Sequence, residues 1–120
     1  MVNISKNGFI TLNRGDTVQT SLFINKGTPC SPFRYYIKDH PKTIAYLGVM
    51  EPNQPFENAV IRKKYTGESP VNEDGDLIIE INSKDTEYLL PGKYYYMVKV
   101  VFDDGTIDTI IPKTDFIIYD

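Results

Sequence analysis

The sequence has no tryptophan, one cysteine and one histidine, and each scarcity removes a class of chemistry. Because Cys30 has no second cysteine to pair with, an intramolecular disulfide and a cysteine-based metal cluster are both excluded. His40 leaves at most one imidazole base, and it precedes Pro41 in what we expect to be a solvated turn. The sequence also has no glycine-rich phosphate loop and no nucleophile elbow. We therefore predict no catalytic residue, no cofactor site and no metal site.

No hydrophobic run approaches the length of a transmembrane helix, and the first residues lack the apolar core of a signal peptide. The formal net charge is −3, and the one basic cluster, residues 62–64, is followed at once by Tyr65. Binding to nucleic acid or to an anionic membrane requires clustered cations, so we expect neither as a partner. These features are typical of a protein that folds in a reducing cytosol.

One acidic stretch, VNEDGD at residues 71–76, has the composition of a calcium-binding loop. With Gly75 at the sixth position of an EF-hand loop, Pro70 falls at the first position and Ile81 at the twelfth, where acidic ligands are required. The match fails at both ends. We predict a charged turn between strands, with a weak calcium site between strands as the lesser alternative.

Apolar residues recur at every second position in short segments bounded by Gly, Pro, Asn and Asp, which is the pattern of β-strands. Pro112 interrupts one segment and indicates a bulge or an edge position, and the stretch NKGTPCSP at 25–32 is predicted to be a loop. This pattern favours an all-β fold, an immunoglobulin-like antiparallel β-sandwich of about seven to nine strands, in a single domain over residues 1–120. One helical turn is possible over 85–89. The predicted strands cover residues 9–13, 17–25, 33–38, 43–50, 58–65, 76–82, 93–102, 106–111 and 116–119.

The segment LLPGKYYY at residues 89–96 resembles the tyrosine corner of immunoglobulin-like domains. Tyr94, two residues after Gly92, takes the place of the corner tyrosine, whose hydroxyl bonds to backbone a few residues upstream. Tyr96 stands where antibody domains carry their second cysteine, so this is a disulfide-free version. Two further glycines, Gly15 and Gly105, are predicted to supply turn geometry that other residues disfavour.

Nine tyrosines are too many for all of them to lie in the core. Tyr95 and Tyr119 fall on the opposite face from their apolar neighbours, where they suit a protein interface, a sugar-stacking surface or simply the cover of an exposed sheet. Met50 and Phe56 flank a proline-rich loop, GVMEPNQPFENA, and are candidate apolar contacts for a partner. Phe56 alternatively anchors that loop on the domain.

The stretch TLNRGDTV contains Arg14-Gly15-Asp16, the tripeptide that integrins read on adhesion proteins. Such reading needs a loop that stands clear of the domain, whereas the flanking strands leave little more than Gly15 as the turn. We therefore predict a hairpin corner that joins the first two strands. Asp16 is expected to accept hydrogen bonds from nearby backbone amides, and Arg14 to face solvent or a neighbouring carboxylate.

Four segments together resemble one family of bacteriophage virion proteins: GFITLNRGDTVQTSLFIN, YLGVMEPNQPFENAVIRKKY, DTEYLLPGKYYYMVKV and DDGTIDTIIPKTDFII. They are similar to the N-terminal domain of phage baseplate upper proteins and to related modules in phages of Gram-positive and gut bacteria. The shared motifs are an R-G-D-T turn, a Y-x-G-V strand, an A-x-I-x-K strand and a final L-x-P-G-x-Y-x-Y hairpin. The resemblance runs from about residue 8 to residue 118.

The resemblance implies a non-enzymatic, immunoglobulin-like module of the virion that docks on other virion proteins, usually within a homo-oligomer. It implies synthesis in the bacterial host cytoplasm and a place in the tail baseplate or fibre, or in an accessory virion component. The family's baseplate proteins continue into a long fibrous part that this sequence does not include. A capsid-decoration or head-fibre protein is therefore one alternative. A module that binds host-surface carbohydrate through exposed tyrosines is the other.

Overall fold

A computed structural model describes residues 2–4, 8–28 and 31–120, and about half of the chain, 51%, lies in strands. The prediction of an all-β fold is confirmed. Cys30 lies outside the described residues. A 3-10 turn covers Ile37–Asp39, another covers Phe56–Asn58, and the helical turn α1 covers Ser83–Thr86. The strands are β1 Val2–Ile4, β2 Ile10–Asn13, β3 Val18–Leu22, β4 Asn25–Thr28, β5 Ser31–Arg34, β6 Ile44–Met50, β7 Ile61–Tyr65, β8 Leu77–Ile81, β9 Gly92–Val101 and β10 Ile107–Tyr119.

Six strands form one curled sheet in the order β1-β2-β10-β9-β6-β7. The pairs are antiparallel except that β2 runs parallel to β10, with Ile10 opposite Phe116. The sheet is therefore mixed, and the expectation of a purely antiparallel arrangement is wrong. The reason is that β3 leaves the sheet, so β2 finds its second neighbour at the far end of the chain. Strands β3 and β8 form a separate antiparallel pair, and β4 and β5 form a hairpin.

The core lies between the six-stranded sheet and the β3–β8 pair, and alternation along each strand builds it. In β9 every second side chain is buried, and in β8 the inward residues are Leu77, Ile79 and Ile81 while Glu80 is exposed. Period-two alternation in the predicted strands 76–82 and 93–102 places these same side chains on the inward face, with Glu80 outward, so the predicted faces agree with the structure. The inward side chains that β9, the residue after it and the end of β10 contribute to the core are Tyr94, Tyr96, Val98, Val100, Phe102, Phe116 and Ile118.

The region between residues 23 and 39 departs most from the predicted strands. Part of the predicted loop at 25–32 forms β4 and β5, and the predicted strand at 33–38 ends at Arg34. Alternation in the strand predicted over 33–38 places Phe33, Tyr35 and Ile37 on one face; Tyr35 and Ile37 are buried, but Phe33 is 55% exposed. Alternation misleads here because a 3-10 turn, closed by the His40 N–H bond to the Ile37 carbonyl, also buries residues two apart.

Strand β10 runs without a break through Pro112, where two separate strands are predicted. Its register against β9 shifts between Thr109 and Ile111 and again between Ile111 and Thr114. The proline therefore sits in a bulged stretch, as predicted, and the ladder tolerates its missing N–H there. Helical turn α1 begins two residues before the predicted one because Asn82 and Asp85 form a capping box.

The segment from Arg14 to Thr17 carries the chain from one layer to the other. Strand β2 pairs with β1 and β10, whereas β3 pairs with β8, so this corner does not close a hairpin. The predicted hairpin is wrong because adjacent strands in sequence here belong to different sheets. Gly15 has φ 88°, and its N–H donates to Thr86 Oγ1 at 2.9 Å, which ties the corner to α1.

Both charged residues of the tripeptide are engaged within the fold. The Asn13 N–H donates to Asp16 Oδ2 at 3.1 Å, and the Arg14 guanidinium pairs with Asp120 Oδ1 at 2.5 Å. These contacts agree with the expected roles of the two side chains. The tripeptide therefore holds a corner of the domain rather than standing clear of it.

Tyr94 makes the contact that defines a tyrosine corner. Its side chain is buried, and its hydroxyl donates to the Leu90 carbonyl, four residues upstream, at 2.6 Å. Gly92 lies between them with φ 152°, and Gly105 has φ 87° in the β9–β10 turn. Among the described residues no helix is long and apolar enough to cross a membrane.

We expect Tyr94→Ala to lower the free energy of unfolding by about 3–5 kcal/mol, because it removes a buried aromatic ring and leaves a cavity. Tyr95→Ala should cost less than about 1 kcal/mol in the isolated domain, since this neighbouring ring lies on the outer side of the sheet. Denaturant unfolding of the two variants measures both values. Equal losses would show that the two rings do not differ in burial.

Alkaline pH should destabilise the fold through its buried tyrosines. Burial raises the pKa of the Tyr35, Tyr65, Tyr94 and Tyr96 hydroxyls above the ordinary 10.0. The folded state then holds these protons more tightly than the unfolded state, so stability is full below pH 10 and falls as pH rises through the folded values. Unfolding free energies measured across this range test the decline. Tyr96→Phe should make it shallower, and an unchanged slope in that variant would contradict the assignment.

Candidate functional site

The candidate site is the outer face of the six-stranded sheet, which is the side turned away from β3 and β8. Its side chains alternate with the buried ones along β6, β7, β9 and β10. Phe56, from the β6–β7 connection, packs on the same side. We define the outer face by Tyr46, Phe56, Arg62, Lys64, Lys93, Tyr95, Met97, Lys99, Lys113 and Asp115.

Tyr95 is held between two ammonium groups on this face. Lys113 Nζ lies 4.4 Å and Lys93 Nζ 5.4 Å from the centre of its ring. Both distances fall within the range of a cation–π interaction. Lys93 is also paired with Asp115 at 3.5 Å, so its position is fixed from two sides. The half-buried ring is thereby presented in a defined orientation.

Phe56 is seated on the sheet over Gly48. A Cβ atom at Gly48 would lie 2.8 Å from Phe56 Cε2, so glycine makes room for the ring. Lys99 Nζ lies 4.8 Å from the centre of the Phe56 ring on the same face. Phe56 thus anchors its loop on the domain, which is the second of the two roles expected for it, while part of the ring stays exposed.

A shallow apolar groove runs beside the Phe56 ring. It has a volume of about 420 Å³, and Arg62 closes one side by donating hydrogen bonds to the Glu57 and Ala59 carbonyls. The groove is also lined by Tyr46, Leu47, Gly48, Glu57, Ala59 and Lys63. The groove and the rings of Tyr95 and Phe56 give the outer face apolar area between its charged side chains.

The outer face carries positive charge that the fold does not neutralise. No carboxylate oxygen of the described residues lies within 4 Å of the Lys64, Lys99 or Lys113 ammonium. The acidic strand residue on the face, Asp115, is already paired with Lys93. The chain has a net charge of −3, so this surface is opposite in sign to the protein as a whole.

Met50 and Tyr119, the other two residues expected at an interface, do not join this cluster. Met50 is the last residue of β6, opposite Tyr95, and only 1% of it is exposed. Its side chain is covered by the protein itself, so in this conformation it does not offer a contact to a partner, contrary to the expectation. Tyr119 is exposed at the end of β10, roughly 13 Å along the strand from the position opposite Tyr95.

The structure also has a second aromatic surface, which was not predicted from the sequence. The Arg34 guanidinium lies 4.8 Å from the ring centres of both Phe23 and Tyr36, and it is paired with Asp76. Phe23 and Tyr36 are exposed, as is nearby Phe33. The outward position of Phe23 in the alternating pattern was the signal available in the sequence.

The imidazole of His40 is more constrained than a solvated turn residue. Its Nδ1 lies 3.2 Å from Asp103 Oδ2, and its ring stacks on Tyr35 at 4.1 Å. In the part of the chain that the structure describes, no hydroxyl or thiol is hydrogen-bonded to this ring, and no three metal-ligating side chains form a group. These contacts of His40 therefore link the turn before Pro41 to the turn between β9 and β10, which contains Asp103.

The seat of the Phe56 ring can be tested by substitution. Gly48→Ala should lower the free energy of unfolding by about 1–3 kcal/mol, because its methyl group overlaps the ring. In a Phe56→Ala background most of this cost should disappear, leaving a smaller part from the Ala59 methyl group at 3.2 Å. Denaturant unfolding of the four proteins gives the coupling. An identical cost in both backgrounds would contradict the contact.

Comparison with known proteins adds no family to this description: no family model, no curated protein and no solved structure matches the chain.

Proposed function

We propose that this chain is a non-enzymatic structural protein of a bacteriophage virion, which docks on other virion proteins as a module of the tail baseplate or fibre or as an accessory component. The resemblance between residues 8 and 118 motivates the virion role. The observation that carries the docking role is the outer face, where Tyr95 and Phe56 lie beneath the Lys113 and Lys99 ammonium groups.

The physical character of this face supports protein docking. Interfaces are enriched in aromatic side chains, which add large contact area at a small entropic cost. The ring of Tyr95 is already oriented by two lysines, and its strand, β9, is paired on both sides, with β6 in an unbroken register and with β10 through Asp115 opposite Tyr95. A partner therefore meets a surface that needs little ordering on binding, which favours affinity.

We also propose that the two layers are of immunoglobulin type. The neighbouring strands β6, β9 and β10 correspond to strands C, F and G of such domains, and β7 extends that sheet as in variable-type domains. The β3–β8 pair corresponds to strands B and E of the opposite sheet. The hydrogen bond from Tyr94 to Leu90 at the start of β9 supports this assignment.

A carbohydrate-binding module for host-surface glycans is the second candidate. It is favoured by the exposed rings of Phe23 and Tyr36, which both lie 4.8 Å from the Arg34 guanidinium, since aromatic faces stack on sugar rings. A capsid-decoration or head-fibre protein would instead use the outer face in the same way as a tail module.

Chemical labelling of lysines in purified phage particles tests the proposal. We expect the chain to be a component of the particle. Lys93, Lys99 and Lys113 should react several-fold more slowly there than in the isolated chain at a dilution where it is monomeric, because a partner covers them. Lys84, exposed on α1, is the internal control and should react equally in both.

Absence of the chain from particles of a phage that encodes it would contradict the virion role. Equal reactivity of the three lysines in particle and isolated chain would contradict docking through the outer face. Glycan binding by the isolated chain that Tyr36→Ala removes would support the carbohydrate function instead.

A further inference from the structure

We infer that the occupant of the outer face is a second copy of this chain, which docks its acidic β7–β8 loop, residues 66–76, against Lys99 and Lys113. This inference rests on the proposed function, since it names the partner of the same face. Within the described part of one copy, these two lysines and the exposed carboxylates of this loop have no partner of opposite charge. A contact between two copies brings these two sets of charges together.

The acidic loop carries carboxylates that the fold leaves unpaired. Glu68, Glu73 and Asp74 are exposed, and no basic nitrogen of the described residues lies within 4 Å of their carboxylates. Arg34 pairs with Asp76 and also donates a hydrogen bond to the Asp74 carbonyl at 2.9 Å, so Glu68 and Glu73 are the carboxylates farthest from compensation. The unpaired carboxylates are opposite in sign to the unpaired Lys64, Lys99 and Lys113 ammonium groups of the outer face, so the two surfaces are complementary in charge.

The loop is also held in one shape. Asn72 Oδ1 accepts hydrogen bonds from the Asp74 N–H at 3.0 Å and the Asp76 N–H at 2.9 Å. The Gly75 N–H donates to the Asn72 carbonyl at 3.0 Å, and the Thr66 N–H donates to Ser69 Oγ at 2.9 Å. Because these bonds order the backbone of the loop, docking it costs little backbone conformational entropy.

The two surfaces belong to different sides of the molecule. The loop leads from β7 in the six-stranded sheet to β8 in the opposite layer, so it leaves the sheet on the side away from the outer face. A contact between them therefore joins two copies head to tail. Repeated contacts of this kind produce a ring when the rotation closes and a filament when it does not.

A second copy fits this face better than a long polyanion does. The chain has 16 acidic and 13 basic residues, so an extended polyanion that follows the surface soon meets like charge. A compact acidic loop contacts only the nearby lysines and does not reach the acidic residues elsewhere on the surface. The lysines over Tyr95 and Phe56 remain in place as the contact forms, since the rings already orient them.

A charge swap tests the contact. The mass of the full chain is measured by light scattering after size exclusion, over a range of concentrations and at low and high salt. We expect the average mass to rise with concentration, and association to weaken by about tenfold or more between roughly 0.05 M and 0.5 M salt. Lys99→Glu with Lys113→Glu should abolish association, and Glu73→Lys with Asp74→Lys should do the same.

The four substitutions combined in one chain should restore association, because both surfaces then carry exchanged charge. Lys84→Glu and Glu87→Lys, which change exposed charges on and beside α1, are the matched controls and should leave association unchanged. Circular dichroism and melting curves verify that each variant is folded.

A wild-type chain that stays monomeric at low salt, or association that the reversals do not weaken, would overturn the inference. Failure of the combined variant to recover, when each pair alone abolishes association and all variants are folded, would also overturn it. Protection of Lys93, Lys99 and Lys113 in phage particles would in those cases still support docking on another virion protein. The two proposals therefore fail separately.

Discussion

The alternation of side chains along β9 is the constraint on which both the core and the candidate site depend. β9 lies between β10 and β6, and its ladders to both neighbours leave its backbone no freedom to rotate. Tyr94 and Tyr96 therefore point into the core, and Tyr95 points away from it. A shift of one residue in register would bury Lys93 and Lys99 and expose the tyrosine corner, at a prohibitive cost in free energy. The same pairing that closes the core thus presents the outer face.

Local features of the fold were readable from the sequence because their causes are local. The alternation in β8 and β9, the glycine turn at Gly105 and the bulge at Pro112 each follow from a few neighbouring residues. Features that depend on distant partners were not readable. The parallel pairing of Ile10 with Phe116 joins opposite ends of the chain, and no pattern within β2 distinguishes it from a hairpin partner of β3.

The candidate site shows the same division. Tyr95 was predicted to face outward, because alternation alone decides that. The burial of Met50 and the packing of the Phe56 ring against Gly48 depend on how the β6–β7 connection folds back on the sheet. The alternation of apolar residues in the sequence carries no information about that. The unpaired lysines were also hidden, since the sequence lists charges but not the distances between them. Which charged side chains lie close together becomes clear only once the faces of the sheet are known.

The parallel pairing of β2 with β10 has a mechanical consequence. Four residue pairs, from Ile10 with Phe116 to Asn13 with Tyr119, join the strands, and the Arg14 N–H adds a bond to the Tyr119 carbonyl at 2.6 Å. Tension that enters through the start of β2 and leaves through the end of β10 pulls the strands past each other along their length. Their hydrogen bonds are then loaded in shear and must break together, whereas an unzipping hairpin loses them one at a time. The β2–β10 pair therefore resists separation most strongly when the load acts along the direction of its two strands.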